Sequence, residues 1–189
     1  KENKIIALIS DAGTPSISDP GRILIKRCIK EKILVTPIPG CSAVITSLSI
    51  SGFSDRFYFH GFLSETDNSI KKEFEVFRKL KCSIVFFISS KKLLKKFKLL
   101  TEFFADREIL ICRELTKIHE TFYRGKVSDI NKFNFNPKGE VTVIISEINN
   151  KEKEDLDESD KKKIKKIIKH KSVKDIVRIL SQEKNISKS

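Results

Sequence analysis

The sequence has no methionine and no tryptophan, only two tyrosines, and five prolines and seven glycines in 189 residues. Without methionine, Lys1 does not read as a natural start, and an apolar run begins at once at Ile5. The chain is therefore expected to be a piece that lacks an N-terminal part, and its close at Asn185–Ser189 reads as incomplete too. No apolar run approaches the ~20 residues that span a bilayer, and the opening residues lack the basic, apolar, small-residue order of a signal peptide. Cys28, Cys41, Cys82 and Cys112 are scattered, with no C-x-x-C and no nearby histidine pair. That pattern fits a reduced, cytoplasmic setting and no metal site. Acidic residues are the minority, 25 against 38 basic ones, for a formal charge of +13. Such an excess favours a polyanionic partner, because neutralising phosphates releases counterions. Abundant Lys, Ile, Asn and Phe is also what an AT-rich genome encodes.

What is present is organised around Ser10–Gly21, S-D-A-G-T-P-S-I-S-D-P-G. The run Ile5–Ile9 feeds it and reads as a buried strand, and Ile23, Leu24, Ile25 and Ile29 mark a helix after it. Twelve residues is long for a strand-to-helix loop, for which roughly 2–6 is usual. In open α/β sheets ligands bind beyond the carboxyl ends of the strands. A second junction of the same kind follows: strand Lys32–Ile38, then Pro39-Gly40-Cys41-Ser42-Ala43, then a helix from about Cys41 to Ser51 ended by Gly52. Its small first-turn residues would leave backbone N–H groups open to a ligand. Two such junctions within forty residues point to one shared pocket, or to simple Gly-Pro punctuation.

Further on, Arg56–Phe62 reads as a strand. Phe57, Phe59 and Phe62 are core positions, or alternatively platforms for bases, and His60 stands alone. Periodicity predicts helices over 67–81 and 91–104, with five lysines between 91 and 98 on the outer face. Strands are expected at 83–88, 108–113, 119–123 and 140–146, with a short helix near 128–132. The class is α/β with a mixed second sheet. Residues 149–189 read as a charged linker with a basic helical tail.

The Ser10–Gly21 loop resembles that of the tetrapyrrole methylase superfamily, in its ribosomal RNA small-subunit methyltransferase I branch. Four further blocks fall in the same order: Pro37–Ser49, Ser54–Leu63, Arg113–Lys117 with Glu120-Thr121, and Lys138-Gly139-Glu140. Ser64 stands where the family pattern has proline, and Ser89–Lys92 replace a segment that commonly carries Glu and His. The family's opening strand and G-T-P-x-G-N-L loop are missing, so the piece alone is expected to be inactive.

The resemblance implies two α/β domains, with residues 1–38 closing the N-terminal one and 39–148 forming the second, and S-adenosylmethionine in the cleft between them, usually in a homodimer. It implies methyl transfer to the ribose 2′-hydroxyl of a cytidine in the decoding region of 16S rRNA. The cofactor-contacting positions it implies are Ala12, Gly13, Thr14, Pro39, Gly40, Ser42 and Ala43, with Ile88 and Leu115 added. No metal is called for, because the transferred methyl already carries its leaving group. A protonated ribose hydroxyl is a poor nucleophile, so a general base should help. Asp11, Asp19, Glu114 and Glu120 are the candidates, and Lys117 could orient the hydroxyl or a phosphate; each carboxylate could equally be a cap or an ion-pair partner. Alternatives are a porphyrinoid or corrin methylase of the same superfamily, and a non-catalytic RNA-binding fragment.

Overall fold

Ser83–Ser89, S-I-V-F-F-I-S, is apolar on both faces, which predicts a strand covered from both sides. In the computed structural model it is β2, the second strand in sequence of a single five-stranded sheet. The structure describes residues 4–148, together with Ile164 and Asp175, each helical. The expected linker over 151–160 and the two basic helices beyond it otherwise lie outside the described residues.

β1 (Phe57–Phe62) runs parallel to β2, joined to it through α3 (Asp67–Phe77). After β2, α4 (Ser90–Phe104) leads to β3 (Glu108–Arg113), β4 (Thr121–Lys126) and β5 (Glu140–Ile145). β5 lies between β2 and β3, antiparallel to both, and β3 pairs antiparallel with β4. The sheet is mixed and the class α/β, as expected.

The main core lies on one face. Ile70, Phe74 and Phe77 of α3 and Leu93, Phe97, Leu100 and Phe104 of α4 pack over Ile84, Phe86, Ile109, Ile111, Val143 and Ile145. Their 3.6-residue spacing gave both helices in the sequence. A smaller cluster occupies the other face, where Val44 of α2 (Ala43–Ser49) packs on Val85, Leu110, Cys112 and Ile144. The helix expected over 67–81 stops at Phe77, where the turn tightens and the N–H groups of Lys79 and Leu80 donate to the carbonyls three residues back; buried Arg107 then takes the carbonyls of Arg78 (2.8 Å) and Leu80 (3.3 Å). The short helix near 128–132 is a 3-10 helix, Val127–Lys132.

Two expected strands are absent. Residues 5–9 and 32–38 pair with no neighbour among the described residues, and their side chains face outward, Ile5, Ile9 and Leu34 more than four-fifths exposed. A strand is a shared ladder, and an apolar run without a partner has nowhere to place its backbone hydrogen bonds. The helix between them, α1 (Arg22–Lys30), is where the periodicity put it. It closes in a Schellman turn, with Ile33 N–H donating to Cys28 O and Lys32 N–H to Ile29 O. Lys32 takes the left-handed position usual for glycine, φ 54°. The strand expected at 119–123 begins instead at Thr121, because residues 114–120 are wound into turns.

Candidate functional site

The loop at residues 10–21 is tightly wound. Ser16 and Ser18 both have positive φ, and Ser10 Oγ donates to Gly13 O at 2.9 Å. Gly21, at φ +137°, could carry no side chain: a Cβ there would lie 2.4 Å from Ser16 Oγ and 2.7 Å from Leu8. The loop meets the second junction directly, since Thr14 Oγ1 donates to Cys41 O at 3.2 Å. It also reaches β1, where Ser18 Oγ would touch a Cβ built on Gly61 at 3.2 Å. Ala12, Gly13 and Thr14 are exposed, as are Gly40 and Ala43, while Ser42 is half-buried. Two small-residue edges thus lie side by side with accessible backbone. The carboxylate of Asp11, also exposed, has no partner among the described residues.

A second group of motif residues is clamped around Lys138-Gly139-Glu140. Arg113 is buried at the end of β3; its Nε donates to Lys138 O at 2.5 Å and its guanidinium to His119 O at 2.9 Å. Ser90, fully buried at the start of α4, donates from Oγ to Lys138 O and from its N–H to Gly139 O, both at 3.0 Å. Glu114 Oε1 accepts the N–H of Glu140 at 2.8 Å. Lys117 Nζ sits 2.8 Å from Glu140 Oε2 and 3.6 Å from Glu114 Oε1. The backbone hydrogen bond, reinforced by Lys117, holds the Glu114 carboxyl below the usual carboxylate range. Glu140 in turn raises the Lys117 ammonium. Glu120 Oε2 accepts Thr116 N–H at 2.6 Å. Glu114 and Thr116 both have positive φ, so the turn is strained and held by these side chains.

The sequence therefore named Glu114, Lys117 and Glu120 for chemistry, and the structure engages all three in shaping their own loop. Among the described residues no hydrogen bond or ion pair joins this group to Asp11 or the rest of the first loop. Leu115 packs on the smaller core cluster beside Phe59 and Phe87. Ile88 belongs to the main core and also lines a cavity at the carboxyl ends of β1 and β2.

Three features escaped the sequence reading. Arg113 and Ser90 were not singled out, although Arg113 opens the R-E-L-T-K block and Ser90 lies in the divergent Ser89–Lys92 segment. His60, which stood alone in the sequence, belongs to a network: its Nε2 is 3.3 Å from Glu73 Oε1 and its Nδ1 3.4 Å from Tyr58 OH. Glu73 also accepts from Ser64 Oγ (2.6 Å) and Ser64 N–H (3.3 Å). A proline at 64 could make neither bond, so this network is matched to the serine. Its link through Glu73 joins residues nine and more apart in sequence, which the fold alone brings together.

Against known proteins, residues 1–131 match the model for Tetrapyrrole (Corrin/Porphyrin) Methylases. A Thermotoga maritima protein named ribosomal RNA small subunit methyltransferase I is 44% identical over 155 residues, covering 77% of this chain and 67% of the relative. Proteins of the same name from Rickettsia prowazekii and Bacillus subtilis are 40% and 38% identical, over 77% and 80% of this chain and 53% of each relative. The chain spans between about half and two thirds of the length of these relatives. Among solved structures, diphthine synthase superposes with a TM-score of 0.56 at 12% identity, covering 71% of this chain and 57% of that one. The methyltransferase CobJ superposes at 0.53 with 13% identity, covering 72% and 62%. These two share the fold.

Proposed function

Because the chain belongs to the tetrapyrrole methylase family, we propose that its protein transfers a methyl group from S-adenosylmethionine to the ribose 2′-hydroxyl of a cytidine in the decoding region of 16S rRNA. The observation that carries this reading is the 44% identity over 155 residues to a relative named ribosomal RNA small subunit methyltransferase I. The excess of basic residues agrees with an RNA partner. We further propose that it acts in the cytoplasm as a homodimer. No helix among the described residues is long and apolar enough to cross a membrane.

The residues present suit the cofactor. Ala12, Gly13 and Thr14 would line one side of it, and Pro39, Gly40, Ser42 and Ala43 the other, joined by the Thr14–Cys41 hydrogen bond. Ile88 and Leu115 would bound the apolar end. Small side chains here let a polar ligand approach the backbone closely. S-adenosylmethionine, when bound, supplies a methyl group on a positively charged sulfur that departs readily. The protein's share is to hold the attacking oxygen in line and to take its proton. Asp11 is the base we assign, since its carboxylate is exposed and has no partner among the described residues beside the Ala12–Thr14 edge. Glu114, Lys117 and Glu120 are assigned to positioning, as their bonds hold the strained turn from which Leu115 projects.

The test is tritium transfer from labelled S-adenosylmethionine to unmethylated small ribosomal subunits. The expected product carries label on a cytidine ribose. Label confined to small tetrapyrroles would overturn the assignment.

A further inference from the structure

We infer that the cavity at the carboxyl ends of β1 and β2 binds a nucleotide of single-stranded RNA, its base against Phe62 and its phosphate on the lysines of α4. This deepens the rRNA reading and rests on it for the identity of the strand. The cavity has a volume of about 410 Å³, within the roughly 300–1,000 Å³ of small-ligand sites. It lies beyond the ends of two parallel strands, where α/β sheets bind ligands.

Its two walls differ in chemistry. One is apolar, made by Phe62, Leu63, Ile70 and Phe87, and it reaches inward to Ile88, the residue assigned above to the apolar end of the cofactor, so that base and cofactor would meet there. Phe62 is 65% exposed, the most exposed phenylalanine among the described residues. Its ring packs against that of Phe87 at 5.4 Å, which itself packs edge-on to Phe59 at 5.1 Å. An aromatic backed by packed rings yet left in water is what a stacking platform needs, and every base offers it a π-face.

The other wall is the first two turns of α4, with Lys92, Lys95 and Lys96 in the lining against a single acid, Glu65. Lys92 pairs with Glu65 at 2.6 Å and Lys96 with Asp67, whereas Lys95 has no partner among the described residues. Lys95 is thus the cation ready for a phosphate, and Lys92 can exchange an exposed carboxylate for one. The lip between the walls is fixed, because Glu73 ties down both Ser64 Oγ and Ser64 N–H. Apolar platform, cationic rim and rigid lip together fit a nucleotide better than a free anion, which would have no use for the phenylalanine.

The experiment measures fluorescence anisotropy of labelled oligocytidylate with the intact protein, alongside calorimetry with S-adenosylhomocysteine. Phe62→Ala should weaken the RNA complex roughly tenfold or more, the loss expected for one stacked base. Phe62→Trp should retain the affinity. Lys95→Gln should weaken binding a few-fold and reduce the salt slope by ~0.7, the value for one phosphate contact on a single strand. Both sites are exposed, so the variants should fold, and unchanged binding of S-adenosylhomocysteine would verify it. RNA affinity within twofold of wild type in both variants would overturn the site. So would a parallel loss of S-adenosylhomocysteine binding in Phe62→Ala, which would give the cavity to the cofactor. Should the variants lose RNA binding while the wild type methylates no ribosomal RNA, the site stands and the assigned reaction falls. Should methylation occur with both variants binding normally, the reverse holds.

Discussion

Replacing Gly139 with alanine should release the clamp that holds the Arg113–Glu120 turn. At φ +99° an L side chain is strained wherever it points, at a cost of ~1–3 kcal/mol. The new Cβ would also lie 2.6–2.7 Å from three atoms of the Glu114 side chain. That carboxylate must then leave the Glu140 N–H and the Lys117 ammonium that hold it. From the backbone strain alone, at ~2–4 °C per kcal/mol for a domain of this size, the melting temperature should fall by roughly 2–12 °C. Circular dichroism melts of wild type, Gly139→Ala, Glu114→Ala and the double variant complete a thermodynamic cycle. In the Glu114→Ala background the collision is gone and only the φ strain is left. The two losses should therefore sum to less than additivity by ~0.5 kcal/mol or more, as for residues in contact. Strict additivity, or a Gly139→Ala melt within about a degree of wild type, would refute the clamp.

Four other outcomes are expected. Asp11→Asn should lower kcat by about 10²-fold or more, the usual share of a general base, with binding of S-adenosylhomocysteine unchanged by calorimetry. The Glu114 carboxyl is a stronger acid folded than unfolded, so its contribution to stability is complete above pH 4.5 and is lost as pH falls through the lowered value. Lys117 is a weaker acid folded, so its share is complete below pH 10.5 and lost above. Urea midpoints followed into acid should therefore decline less steeply in Glu114→Gln than in wild type. Burial pushes the Cys112 thiol up to about 12, and the thiolate is the reactive form; iodoacetamide should label exposed Cys41 in the native protein and Cys112 only after unfolding. Finally, Phe74→Ala should cost ~3–5 kcal/mol by chemical denaturation, since Phe74 is fully buried with its ring against Phe77, Phe103 and Phe104.

The elements that sequence determined are those whose own residues suffice to specify them. The stripe Leu93, Phe97, Leu100, Phe104 can be satisfied only by a helix lying on an apolar surface. Runs such as Ile84–Ile88 and Val141–Ile145 can be satisfied only by strands covered on both faces. The ordered blocks were legible for a similar reason, because residue type and spacing are properties of the chain itself. Pairing and contact are not. Ile5–Ile9 is as apolar as β2, yet among the described residues it has no neighbour to share hydrogen bonds and makes no ladder. Glu114 and Glu120 carry the residue type a general base requires, and only the fold reveals that a backbone N–H and a lysine already occupy the first, and Thr116 N–H the second. Gly139 and Glu114 are twenty-five residues apart in sequence, and the van der Waals contact that makes one require the other exists only once β3 and β5 lie side by side.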